Sequence, residues 1–476
     1  MDSEEVYMSS NGDQESTLYY TQIAMVEFIG TFFLSQLVAS KYVFAIDGSQ
    51  PIALGLGYVG ILYATFPISG GQLNPAVTCG LLYRRKLSLR EGLCCIVAQL
   101  LGGIFAGLVS YAIFNSNWDN VGYPEISEGF HASNAFVAEI LESFLLVTVY
   151  MNATTTKAQE GKSFYGVAVG FVVLSTALLE ATQRSTCNNS AVAMLALLQG
   201  SYKDLWVYFC APLIGSLFAC LAFPILNPAE DQHDISTAAK RLASLLTEFI
   251  GTFYLSYTVG MSVNAASFSN GFCAIGMMVA SLIYMGAAIS GAQYNPAVSL
   301  AIFIRRRWSS SSRAPTMKVV DLVMYSIVQV LASFAGALVA GYVNQDVGGI
   351  TTFKVNTDHY TLFAGVVVEA LYSFLLCFTV LMSGTLRYVQ GNSYYGMACG
   401  FVVTAGIAAV SNISGGVFNP ALGVSLPIIA MKHVKDIWVY VVGPYFGAVV
   451  AALVVNFVSF VEDGAEKTDL SHLTAF

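Results

Sequence analysis

The stretch Ser69-Gly-Gly-Gln-Leu-Asn-Pro-Ala-Val77 returns 221 residues later as Ser290-Gly-Ala-Gln-Tyr-Asn-Pro-Ala-Val298, and a further triplet stands at Asn419-Pro420-Ala421. Each triplet joins two helix-starting devices. Pro fits the first helical position, where its missing N–H is not needed and its fixed φ is helical. The Asn before it caps the helix through its side-chain oxygen, which leaves the side-chain amide nitrogen as a donor. Apolar runs follow at 76–83, 297–304 and 421–430. They are far shorter than the roughly 20 residues needed to cross a bilayer, so they read as half-helices. Two such starts meeting end to end would aim two amide donors and two positive helix ends at one point. A water there must offer its oxygen to both donors, which breaks a proton-conducting wire, and the positive ends repel cations.

Around these starts lie two sets of six apolar segments. The first is 19–40, 51–68, 90–114, 133–151, 163–181 and 204–226; the second is 242–263, 271–289, 317–343, 361–383, 393–411 and 436–460. A fourth short run, 191–198, stands in the first set where 421–430 stands in the second. The repetition is direct: Glu27-Phe-Ile-Gly-Thr-Phe-Phe-Leu-Ser35 matches Glu248-Phe-Ile-Gly-Thr-Phe-Tyr-Leu-Ser256, and Gly170-Phe-Val-Val173 matches Gly400-Phe-Val-Val403. Self-similarity at a fixed offset marks a tandem duplication. Each half also repeats within itself. A glutamate opens its first and fourth segments (Glu27 and Glu139; Glu248 and Glu369), and a half-helix follows its second and fifth. Three spans per unit is odd, so successive units insert with opposite topology, the inverted-repeat logic of many transport folds.

Composition agrees. The 476 residues are 56% hydrophobic and 11% charged, with net charge −8, against about 25% charge in a soluble domain. That excludes a soluble enzyme, a disordered chain and a nucleic-acid binder. The nine cysteines lie mostly in apolar runs and show no metal or disulfide spacing. The acidic Met1–Thr17 stretch lacks the basic start and apolar core of a signal peptide. The reading is residues 1–18 as an acidic tail, 19–226 and 241–460 as two domains, 227–240 as a linker and 461–476 as a second tail. Of the 21 basic residues, 15 fall on one side of that topology, including Arg84–Lys86 and Arg305–Arg307. The positive-inside rule then puts both termini in the cytoplasm.

With these motifs the chain resembles the aquaporin and glycerol-facilitator family, as two such domains in one polypeptide. The resemblance spans roughly residues 19–226 and 240–460, and includes Gly102-Gly103 and Trp438-Val-Tyr440 with Gly443-Pro444. It implies an all-α membrane fold of two bundles, each six spans and two half-helices. It further implies passive passage of water, with glycerol or hydrogen peroxide as further solutes, no cofactor or metal, and a homodimer forming a four-pore pseudo-tetramer in lipid. An ammonia or gas conduit and a structural or adhesive protein with closed pores are the alternatives. An enzyme is not expected, because no nucleophile–base pair is visible.

Carried over by spacing, the pore motifs are Asn74, Pro75, Ala76 and Asn189, Ser190, Ala191 in the first half, and Asn295, Pro296, Ala297 and Asn419, Pro420, Ala421 in the second. The first half thus keeps the second Asn but has Ser190 for Pro, and a working half-helix over 191–198 is expected. Asn227-Pro228-Ala229 falls outside the motif context. Family members usually place Arg three residues after the second Asn; here Val192 and Leu422 stand there. The remaining filter positions are Leu54, Ala177 and Thr186, then Ile275, Ile407 and Gly416. This predicts a moderately wide first filter with one hydroxyl, and a second lined only by apolar side chains, where water would rely on carbonyls near 414–418. Glu27, Glu139, Glu248 and Glu369 are expected to tie down the half-helix loops. Arg184 and Cys187 flank the first filter, Arg184 as an outer-loop charge and Cys187 as a pore-lining thiol.

Overall fold

The computed structural model describes residues 12–40, 49–180, 187–231, 234–265, 267–308, 317–386, 389 and 391–464. Thr186 and Arg184 lie outside them. Among the described residues the structure is helical, with no β-sheet. The first set of helices is α1 (Gly12–Ala39), α2 (Gln50–Ser69), α3 (Pro75–Tyr83), α4 (Leu89–Ile113), α5 (Ala132–Thr155), α6 (Tyr165–Glu180), α7 (Met194–Leu198) and α8 (Leu205–Leu226). The second is α9 (Thr237–Met261), α10 (Phe268–Gly286), α11 (Pro296–Trp308), α12 (Val319–Val343), α13 (Leu362–Gly384), α14 (Tyr395–Val410), α15 (Pro420–Ile429) and α16 (Ile437–Gly464). Helix α1 begins inside the stretch read as an N-terminal tail. A single helical turn, Pro228–Asp231, occupies the linker. The chain divides into two compact units, Met1–Glu160 with Tyr165–Pro224, and Gly161–Phe164 with Ile225–Phe476.

Nine helices among the described residues are long and apolar enough to cross a membrane. Their faces are arranged for lipid. On α4 the exposed side carries Leu93, Val97, Leu101, Phe105 and Leu108, while Gln99, Gly103 and Ser110 are buried. Apolar out and polar in is the reverse of a helix facing water. Helices α6 and α14 are 16 residues each, about 24 Å at 1.5 Å per residue, and α9 opens with the charges of Lys240 and Arg241. The two units pack alike. Helix α1 lies on α4 and α2 on α6 in the first; α9 lies on α12, α10 on α14 and α13 on α16 in the second.

Three of the four half-helix starts are true α turns. Asn74 and Asn419 are extended caps whose side chains accept from Ala76 N and Ala421 N. Thr78 N, Ser299 N and Gly423 N then close the first turn onto Asn74 O, Asn295 O and Asn419 O at 3.0, 2.9 and 2.9 Å. The fourth differs. Val192 N and Ala193 N share Asn189 O at 3.0 and 3.3 Å, and Leu195 N bonds Val192 O at 3.1 Å. These tight, 3₁₀-like turns run until α-helix begins at Met194, and α7 holds five residues against ten in α15. The expected half-helix over 191–198 is therefore corrected to a wound turn followed by a short helix. Without Pro to fix φ, Ser190 does not hold the first turn in the α form.

A glycine makes room for that turn. A Cβ on Gly103 of α4 would stand 2.0 Å from the Ala191 carbonyl oxygen. Gly103→Val is expected to cost about 1–3 kcal/mol through this overlap, read as a lower unfolding temperature of the detergent-solubilised protein. An unchanged temperature would mean that the contact is not tight.

Candidate functional site

In each half the two Asn residues meet. Asn74 uses its Oδ1 to cap Ala76 N at 2.9 Å and donates from Nδ2 to the Asn188 carbonyl at 2.6 Å. Asn189 caps Ala191 N at 3.0 Å and donates to the Leu73 carbonyl at 2.8 Å. The second half repeats this. Asn295 caps Ala297 N and donates to Phe418 O at 2.8 Å; Asn419 caps Ala421 N and donates to Tyr294 O at 2.9 Å. Each Asn therefore clamps the residue before its counterpart. An amide has two N–H groups, so one donor per Asn remains for whatever occupies the cavity. Asn189, not the adjacent Asn188, is the cap.

The residue before each Asn has a left-handed backbone: Leu73 (φ 54°), Asn188 (47°), Tyr294 (51°) and Phe418 (53°). Only Asn188 is of a type that enters this region readily. The geometry turns the preceding carbonyls and amides, and the buried glutamates collect those amides. Glu27 accepts from Gln72 N (2.9 Å), Leu73 N (2.7 Å), Ser69 Oγ (2.5 Å) and Gln99 Nε2 (2.8 Å). Glu248 accepts from the counterparts Gln293 N, Tyr294 N, Ser290 Oγ and Gln329 Nε2 at 2.6–2.9 Å. Glu139 takes Cys187 N and Asn188 N, and Glu369 takes Val417 N, Phe418 N and Ser414 Oγ. All four glutamates are fully buried. Ser69, Leu73, Tyr294 and Gln99 lie in stretches that carry the resemblance, but sequence reasoning gave them no role as partners of the glutamates; the matched Ser69/Ser290 and Gln99/Gln329 pairs are the signal that could have found it.

Tyr294 is larger than its counterpart Leu73. Its ring fits because Gly251 and Gly286 lack side chains, where a Cβ would come within 2.0 Å of it. Its hydroxyl donates to Leu282 O at 2.9 Å.

The filter positions line the same cavities as the Asn pairs. In the second half Ile275, Ile407, Gly416 and Leu422 border a cavity of about 400 Å3 that also touches Asn295 and Asn419. The value falls within the roughly 300–1,000 Å3 of small-molecule sites. In the first half Leu54, Ala177 and Val192 border about 30 Å3 with Asn74, Asn189 and Cys187, room for one or two waters. The first filter, expected to be moderately wide, borders the smaller of the two cavities, and its Thr186 lies outside the described residues. Val38 and Val192 belong to one buried apolar cluster with Leu54 packed against it, and Tyr58 walls the space beside them. Sequence reasoning passed over Tyr58. Among the described residues no three His, Cys, Asp or Glu side chains gather as a metal site.

Long apolar helices with polar interiors, enclosing two paired helix starts, define a multi-pass integral membrane protein. The family model of the major intrinsic protein matches residues 14–223 and 234–455, and the chain belongs to that family. Among curated proteins it is similar to the probable aquaporin PIP2-7 of Oryza sativa subsp. japonica, 32% identical over 211 residues, or 40% of this chain and 70% of that one. Probable aquaporin PIP2-6 of the same plant is 32% identical over 217 residues, 41% of this chain and 77% of its own. Nodulin-26 of Glycine max is 28% identical over 216 residues, 44% and 79%.

The carboxylates can be tested singly. Glu248→Gln turns an NH2 toward donors that now meet an oxygen, and each orphaned buried N–H costs about 1–3 kcal/mol. A markedly lower unfolding temperature is expected by thermal unfolding in detergent. A wild-type temperature would mean that the carboxylate does not hold the Tyr294 loop.

Proposed function

We propose that the protein is a passive channel for water and small uncharged solutes of about glycerol size. The cavity of about 400 Å3 that runs past Asn295 and Asn419 carries this reading. Water entering it meets one free N–H from each Asn and two positive helix ends, which orient its oxygen and disfavour cations. The lining at Ile275, Ile407 and Leu422 offers carbon, so a solute needs only a polar edge to follow the Asn donors and the backbone of Gly415–Phe418.

The same reading assigns twelve spans, counting α6, α9 and α14, with the three-span units inverted and each half-helix entering the membrane without crossing it. Residues 19–226 and 241–460 are the two channel domains, 227–240 the linker, and 1–18 and 461–476 the tails. Both termini are cytoplasmic, on the side of Arg84 and Arg305. Two chains assemble in lipid as a four-pore pseudo-tetramer. No coupling-ion or nucleotide site enters the scheme, so flux follows the gradient.

Stopped-flow shrinkage of liposomes holding the full chain tests it, first under an impermeant osmolyte and then under glycerol. Water and glycerol permeabilities above protein-free liposomes, with no added proton leak, are expected. Permeability equal to bare lipid for both would contradict the channel reading.

A further inference from the structure

The two halves share their central motif but not their space; of the filter positions, Leu54 and Ile275 match in size and Thr186, opposite Gly416, lies outside the described residues. Ala177 and Val192 of the first half are smaller than their counterparts Ile407 and Leu422. On those positions the first half would be the wider, yet its cavity is about 30 Å3 against 400 Å3.

Two other aligned positions run the opposite way. At the offset that matches Asn74 to Asn295, Tyr58 of α2 stands opposite Val279 of α10. At the offset that matches Glu139 to Glu369, Tyr150 of α5 stands opposite Val380 of α13. Each lies one helical turn beyond a lining residue: Tyr58 beyond Leu54, Tyr150 beyond Leu146, Val279 beyond Ile275 and Val380 beyond Leu376. Both positions therefore face the pore.

In the first half both rings are buried, Tyr58 at 4% and Tyr150 at 1% exposure. Tyr58 walls the small cavity, where its hydroxyl has no protein partner. Tyr150 borders a separate cavity of about 440 Å3 lined by Phe66, Gly70 and Lys86, and its hydroxyl donates to the Gly70 carbonyl. The bond fixes the ring at the wall of that cavity. In the second half a single cavity passes from Ser262 and Ser267, beside Asn295 and Asn419, to Leu282 and Ile283, and both Val279 and Val380 line it.

We propose that Tyr58 and Tyr150 close the pore of the first half while Val279 and Val380 leave the second open, so that these two positions decide which half conducts. The inference rests on the channel reading above. A phenol in place of an isopropyl group at two successive points removes the width that a single file of water requires. The hydrogen bond to Gly70 keeps the Tyr150 ring from swinging aside.

The test uses the full chain in liposomes with water and glycerol as probes. Val279→Tyr with Val380→Tyr is expected to lower both permeabilities about tenfold or more, toward bare lipid, and Tyr58→Val with Tyr150→Val to raise them about twofold by opening a second pore. The chain carrying all four changes is expected to regain wild-type permeability, which also shows that the two new tyrosines did not unfold it. Wild-type flux that survives the valine-to-tyrosine pair would overturn the proposal. So would a four-change chain that elutes like wild type yet stays at the lipid baseline. A wild-type chain with no flux at all strikes the channel reading itself, a result distinct from either.

Discussion

A buried carboxylate holding a left-handed residue is the constraint on which the centre of each half depends. Leu73, Tyr294 and Phe418 adopt a backbone that side chains avoid, at a cost on the order of 1–3 kcal/mol each. That conformation turns two consecutive amides toward one point, and a glutamate with no exposed surface receives them. Such charge-assisted bonds are about twice as strong as neutral ones. Once the loop is set, its last carbonyl faces the opposing Asn, and the two helix starts lock through reciprocal amide–carbonyl bonds. Acid and lock thus form one unit that occurs four times, with backbone strain at three of the four.

Much of this could be read from residues alone. Three Asn-Pro-Ala triplets, a glutamate opening the first and fourth segments of each half, and the match of Gly170–Val173 to Gly400–Val403 that sets Asn189 opposite Asn419 placed Asn74, Asn189, Asn295 and Asn419 where the structure brings them together in pairs. Segment lengths marked most of the long helices. Spacing could not say which side chains fill a pore from the side. The Ser190 start shows the limit at local scale: residue preference tolerates Ser early in a helix, but only Pro dictates the first turn. The first-half cavity shows it at larger scale. Filter positions count one ring of residues, whereas the width depends on rings one turn further along, at Tyr58 and Tyr150.

The duplication explains how such divergence can be carried. Both halves keep the acids, the capping Asn residues and the small residues at close contacts, because each of these holds the fold. Pore-lining positions outside that unit are free to change in one copy while the other retains its passage. The scaffold itself carries a paired difference: the larger Tyr294 is seated between Gly251 and Gly286, and Gly286 stands opposite Thr65 of the first half. The wider second half and the filled first half then follow from substitutions around an unchanged centre.

The most direct measurement compares Asn74→Asp with Asn295→Asp in the full chain, by water permeability of liposomes carrying equal amounts of each. Either change keeps the cap oxygen and removes the amide donor, placing a carboxylate against the carbonyl of Asn188 or Phe418. Asn295→Asp is expected to bring permeability close to bare lipid while Asn74→Asp leaves it near wild type. Equal losses from the two changes, or loss from Asn74→Asp alone, would contradict that expectation.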